Sequence, residues 1–221
     1  MNRVVDGETD QRYRLSVTTA RTALLEPVVP SGSQEERILD AALVCIARWG
    51  LAKTGLDDVA REAGVSRATV YRAFPGGKDA VAEAVARTEV ARFFAAVESR
   101  LAEATTLEHL LVAGITEAAN RIATHGALRA LVSFEPELVL PRLAFDRMNH
   151  VLGLCTAFAS PHLARFLAGE EAAHVAEWAA RVVISYCSWP SIDVDLTDEA
   201  SARRLVRQLF LPALATTGSH P

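Results

Sequence analysis

The sequence predicts an all-α protein of about nine helices, a three-helix N-terminal head followed by a longer helical domain. Three observations carry this. Apolar residues recur at helical spacing along most of the chain, as in Val81, Val85, Val90, Phe93, Phe94 and Val97. Strand-like alternation of any length is absent, and so is an internal repeat. The 12 glycines and 9 prolines fall mostly between the helical stretches, where they punctuate rather than break them.

Residues 1–32 lack sustained periodicity, mix charges evenly and run into Pro27, Pro30 and Ser31-Gly32-Ser33. They read as a flexible arm with a transient turn near Thr19–Leu25. Arg12 and Arg14 give that arm an alternative duty in a DNA minor groove. The first helix is expected near Gln34–Trp49.

Leu56–Lys78, LDDVAREAGVSRATVYRAFPGGK, is the most informative stretch. Val59, Ala60 and Ala63 share one side of a short helix over Asp57–Ala63, and Gly64 suits the left-handed residue that closes it. Val65 plugs the corner and Ser66 is a good N-cap for the helix Arg67–Phe74. In that helix Val70 and Phe74 face inward at i and i+4, leaving Ala68, Thr69, Tyr71 and Arg72 outward. Helix, glycine corner and helix occur in many proteins that never meet nucleic acid. The outward composition decides the matter: no acid lies between Glu62 and Asp79, and arginine, hydroxyl and phenol donors suit phosphates and base edges. A helix-turn-helix that reads DNA is the reading.

The remaining elements follow in order. A fourth helix is expected from Lys78–Asp79 to about Leu101, and a fifth, capped by Thr105-Thr106, to about Thr124. A short sixth runs to Phe134. A seventh from Leu140 is broken by Ser160-Pro161 and resumes to Gly169. The eighth is Glu170–Trp189, stopped by Pro190, and the ninth is Glu199–Leu214, capped by Asp198.

Ile38–Asp40, Ala41-Ala42, Trp49-Gly50, Val59 through Ser66, Thr69-Val70-Tyr71 and Phe74 with a lysine soon after together resemble the tetracycline-repressor (TetR-type) family of bacterial transcription regulators. The likeness covers about Gln34–Ala84; beyond it only the helical length agrees. It implies a homodimer on a near-palindromic double-stranded operator, released by a small-molecule effector bound in the C-terminal helices. Carried over residue by residue, the DNA-binding positions are Thr54, Gly55, Ser66, Arg67, Ala68, Thr69, Tyr71, Arg72 and Lys78. Two departures stand out. Gly55 replaces the threonine that commonly caps the second helix, and three residues rather than two separate Phe74 from Lys78. The domains so implied are an arm at 1–32, a DNA-binding head at 33–80 and a ligand-binding and dimerisation domain at 81–221.

Charge sets a condition on this reading. The net charge is −4, and residues 31–80 hold seven basic side chains against seven acidic, so grip on DNA must come from placement rather than bulk charge. Glu35, Glu36, Asp57 and Asp58 sit in first helical turns, where they complement helix dipoles and are expected to face away from a duplex. Residues 81–221, with twelve basic and sixteen acidic side chains, are not expected to bind DNA.

Between Phe134 and Trp189 large apolar side chains are interspersed with single polar ones. Phe134, Phe145, Met148, Asn149, Leu152, Phe158 and Trp178 suit either a pocket for a lipophilic small molecule or an ordinary helical core; the resemblance favours the pocket. Trp178, Val182, Tyr186 and Trp189 on the eighth helix, with Leu205, Leu209 and Phe210 on the ninth, make an apolar surface wide enough to expect pairing with a second copy.

Other classes find little support. There is no HExxH, GxSxG, P-loop or GxGxxG motif, so no enzyme is expected, and no cofactor or metal. Cys45, Cys155 and Cys187 lack CxxC spacing and read as reduced thiols in a cytoplasmic protein. An activator or ligand-independent regulator with the same head stays open, as does a helical lipid-binding protein whose corner is only structural.

Overall fold

The computed structural model describes residues 29–125 and 145–212. Within them the chain forms eight α-helices and no strand: α1 (Gln34–Trp49), α2 (Leu56–Glu62), α3 (Arg67–Ala73), α4 (Gly77–Ala102), α5 (Leu107–Thr124), α6 (Phe145–Leu163), α7 (Gly169–Ser188) and α8 (Glu199–Leu205). Most of the expected arm, the short helix up to Phe134 and the end of the last helix beyond 212 lie outside the described residues. The described residues divide into two compact units, 29–93 with 124–125 and 145–147, and 94–123 with 148–212.

The first unit is built on α1. Ser33 caps it by accepting the Glu36 N–H, and the Glu36 carboxylate reaches back to the Gly32 N–H at 2.6 Å, a reciprocal cap that satisfies two donors. Its inner face, Ile38, Leu39, Ala42, Cys45 and Ile46, forms one core with Leu56, Val59, Ala60, Val70, Phe74, Val81 and Val85. Full burial of Ile38, Leu39, Val59 and Val70 contributes about 1.5–3 kcal/mol apiece.

A charged hub ties α4 to α1 at the rim of that core. Arg92 donates to Asp40 at 2.7 Å and Glu36 at 3.1 Å on α1, and to Glu89 at 2.9 Å on its own helix. His125 Nε2 lies 3.0 Å from the other Glu89 oxygen. The His125 contact, aided by Arg92 and opposed by burial, holds the Glu89 carboxyl below its ordinary pKa. A depressed acid contributes stability that is full above the unfolded value, 4.5, and is lost as pH falls through the folded one. Arg92→Ala is therefore expected to lower stability by about 1–3 kcal/mol at neutral pH, with the gap to wild type closing below about pH 4.5. Denaturant titrations at pH 7 and pH 3.5 check this, and a gap independent of pH would refute it.

The second unit has its own core. Phe94 and Phe158 meet with ring centres 4.7 Å apart, and His162, buried beside them, has Nε2 2.9 Å from the Glu98 carboxylate. Arg165 donates to the Leu101 and Ala104 carbonyls at 3.3 and 2.6 Å, in the last turn of α4 and just beyond it. Burial pushes the Cys155 thiol up to about 11 and raises that of Cys187, which keeps both largely protonated at neutral pH.

Two sequence expectations are corrected in this unit. Ser160-Pro161 does not break its helix: α6 continues to Leu163 before a turn intervenes. Proline so near a C-terminus removes one ladder bond, and Ser160 Oγ donates to the Thr156 carbonyl at 2.6 Å within the same turn. The ninth helix is not uniform either. After α8, Val206–Phe210 is a π-helical turn, and Leu211 N–H donates to the Val206 carbonyl. A π turn aligns residues five apart, so Leu205 and Phe210 are both buried while Leu209, expected beside Leu205, is half exposed.

Candidate nucleic-acid interface

The corner between α2 and α3 is set by backbone chemistry. Gly64 adopts φ +66°, and two bonds close the end of α2, from Val65 N–H to the Ala60 carbonyl at 2.9 Å and from Gly64 N–H to the Arg61 carbonyl at 3.2 Å. This is the Schellman arrangement, for which glycine is the residue of least strain. Val65 packs against the head core, fixing the direction in which the chain leaves. Ser66 then caps α3, its Oγ accepting the Thr69 N–H at 3.1 Å and lying 2.9 Å from the Thr69 hydroxyl.

Only Val70 within α3 is fully buried, with Phe74 buried at its C-cap. Arg67, Ala68, Tyr71 and Arg72 are exposed on the outer side, and Thr69 is half-buried. Ser66, Arg67, Ala68, Thr69, Tyr71 and Arg72 thus share one short helix and its cap. Arg72 has no hydrogen bond or ion pair among the described residues.

Arg67 is held. Its Nη1 donates to Asp57 Oδ2 at 2.9 Å, Nη2 lies 3.5 Å from the Tyr71 hydroxyl, and Cζ stands 5.5 Å from the centre of the Tyr71 ring. The Tyr71 phenol and then the Asp57 carboxylate raise its pKa above the ordinary value. Asp57 therefore does not face away from the reading helix, as its first-turn position in α2 had suggested. The ion pair forms across the Gly64 corner between residues ten apart, and no helical periodicity encodes it. Asp58 does serve its own helix, accepting the Gly55 N–H at 3.2 Å and pairing with Arg61 at 2.8 Å.

The remaining DNA candidates sit apart from this face. Gly55 is the N-cap of α2, as the family resemblance implied. Thr54 is 5% exposed and its hydroxyl donates to the Gly50 carbonyl at 2.8 Å, a bond that holds the turn after α1. Lys78 is half-buried, and its Nζ donates to the Ala52 carbonyl at 2.9 Å, tying the start of α4 to that same turn.

The C-terminal candidates also scatter. Leu152 and Phe158 are buried and Asn149 is exposed, while Phe134 and the side chains of Phe145 and Met148 lie outside the described residues. On α7 and beyond, Trp178 is 37% exposed with its ring edge-on to Phe210, Val182 and Tyr186 are half-buried, and Trp189 is 80% exposed. Ile192, which the sequence reading did not single out, is fully exposed three residues after Trp189. No helix among the described residues is long and apolar enough to cross a membrane, and none of their acids, histidines and cysteines gather as a metal site.

Residues 38–85 match the family described as bacterial regulatory proteins, tetR family. A Mycobacterium tuberculosis protein described as an uncharacterized HTH-type transcriptional regulator is 26% identical over 195 residues, covering 84% of this chain and 91% of its own. Among solved structures, the TetR family repressor AlkX from Dietzia sp., implicated in biodegradation of n-alkanes, superposes with a TM-score of 0.57 at 24% identity, covering 85% of this chain and 98% of its own. The fatty acid degradation regulator FadR from Bacillus halodurans has a TM-score of 0.55 at 22% identity, covering 80% and 96%. The structural likenesses carry the fold; the match over 38–85 falls on the head.

Proposed function

The chain belongs to the TetR-type family of bacterial transcription regulators and carries a helix-turn-helix DNA-binding head, and from that premise we propose that it is a homodimeric repressor. It sits in the cytoplasm on a near-palindromic operator and leaves it when a lipophilic small molecule binds. The observation that carries the DNA part is α3, a helix anchored by one buried valine that offers Arg67, Ala68, Tyr71 and Arg72 to solvent. Arg67 or Arg72 reads guanine, Ala68 or Thr69 meets a thymine methyl, and Tyr71 holds a phosphate.

Dimerisation rests on the apolar groups that α7 and its neighbours leave outside, Trp178, Trp189 and Leu209. A two-fold dimer presents two α3 helices to successive major grooves about 34–36 Å apart, which makes the operator palindromic. The domains follow: an arm at 1–32, the head at 33–80, and 81–221 for effector and partner. Because α4 is one helix from Gly77 to Ala102, an effector held near its far end acts on its near end. Binding releases DNA only insofar as the effector prefers a spacing of heads that misfits the operator. The alkane and fatty acid degradation named for AlkX and FadR accord with a lipophilic effector.

Selection from random genomic fragments, followed by binding of the winners across a salt series, tests this. A palindrome should emerge, and its affinity should fall about a thousandfold or more between 50 and 200 mM salt if six or more phosphates are contacted. Weak, sequence-blind binding with no enriched fragment would end the proposal.

A further inference from the structure

We propose that Asp57 is a specificity-determining residue: it fixes the aim of Arg67, so that this arginine reads a guanine edge instead of gripping any nearby phosphate. The inference rests on the reading of α3 as the DNA-facing helix and adds a residue of α2 to its code. The pair joins Arg67 Nη1 to Asp57 Oδ2 at 2.9 Å with side chains 56% and 63% exposed. Ion pairs so exposed contribute little to stability, so this one is not needed to hold the corner. Gly64, Val65 and Ser66 already do that through the backbone bonds and cap described above.

Its effect falls on the guanidinium. A free arginine on a helix surface samples many rotamers and loses that freedom on binding. Arg67 is confined from two sides, by the Asp57 carboxylate at one nitrogen and by the Tyr71 ring 5.5 Å from Cζ. A guanidinium has five N–H donors in a rigid plane. Asp57 takes one on Nη1, and the Tyr71 hydroxyl, 3.5 Å from Nη2, takes at most one of the two N–H groups that nitrogen carries. The edge formed by Nε and Nη2 is left to donate in parallel, which matches O6 and N7 of guanine in the major groove. A lone phosphate could use that edge too, but the adjacent carboxylate repels phosphate charge, whereas a guanine edge is neutral. Asp57 therefore lowers affinity for DNA in general and raises discrimination.

The test uses the whole protein, the operator found by selection, a random duplex of equal length, and the operator with 7-deazaguanine in place of the half-site guanines, which lack the N7 acceptor. Asp57→Ala is expected to bind the random duplex more tightly and to lose about tenfold in the ratio of operator to random affinity. The 7-deazaguanine penalty should shrink in the same variant. In an Arg67→Ala background, Asp57→Ala should leave the ratio unchanged, because its route to specificity is gone. Asp57→Asn repeats the comparison at constant size should alanine loosen the first turn of α2. An unchanged ratio in both Asp57 variants, or an undiminished 7-deazaguanine penalty, overturns the role of Asp57 alone. If wild type prefers no sequence at all, the reading of α3 has failed instead.

Discussion

Val70→Asp is expected to unfold the head and abolish sequence-specific DNA binding, the largest effect of any single substitution considered. Helix α3 has seven residues, far too few to be stable alone in water, so it exists by docking. Its docking depends on Val70, which is 0% exposed, and on Phe74, 8% exposed at the C-cap. Val70 belongs to one buried apolar core with Ile38, Leu39, Cys45 and Val59, and no member of that core offers a charged partner. An unpaired carboxylate there costs several kcal/mol, against a total of about 5–15 kcal/mol for an ordinary domain. Val70→Ala creates only a small cavity, losing about 1–2 kcal/mol, and should keep the outer face of α3 in place. Thermal unfolding by circular dichroism, with hydrogen exchange over 34–74, separates the two variants. Wild-type melting in Val70→Asp would show that α3 is not held by the head core.

What could be read from the sequence was local or periodic. The bounds of α1, the Gly64 corner, the Ser66 cap and the inward Val70 depend on residue types within a turn or two of each other, and the structure has them where they were expected. The features that escaped depend on angles between elements or on how a helix's own hydrogen-bond ladder ends. The Asp57–Arg67 pair spans a corner, and the partner of Lys78 lies 26 residues away in the turn after α1. The persistence of α6 through Pro161 turns on how many ladder bonds remain after it, and the Val206–Phe210 π turn has no residue signature that distinguishes it from an α turn. That last feature changes which apolar groups face outward. Periodicity put Leu205 and Leu209 together, whereas the extra residue per turn buries Leu205 with Phe210 and presents Leu209. The C-terminal apolar residues were ambiguous for a different reason: a pocket wall and a core have the same composition, and only placement separates them.

Replacing Arg67 and Arg72 together with alanine is expected to lower operator affinity by about 2–6 kcal/mol, roughly 30-fold to 20,000-fold, since a guanine-reading arginine contributes about 1–3 kcal/mol. The two side chains do different work before DNA arrives. Arg67 is aimed by Asp57 and Tyr71, while Arg72 has no partner among the described residues and pays its ordering entropy at the moment of contact. The single Arg67→Ala change should therefore cost more discrimination, and Arg72→Ala should cost less affinity, because the freedom Arg72 surrenders on binding offsets part of its contact energy. Neither side chain enters the head core, so the melting temperature of the double variant should match wild type to within about 0.5 kcal/mol of stability. Binding to a random duplex should weaken far less than binding to the operator. A double variant whose operator affinity stays within threefold of wild type would place the base-reading surface somewhere other than α3. Equal losses on operator and random DNA would instead make both arginines phosphate contacts, leaving sequence to be read by Ala68, Thr69 and the shape of the duplex.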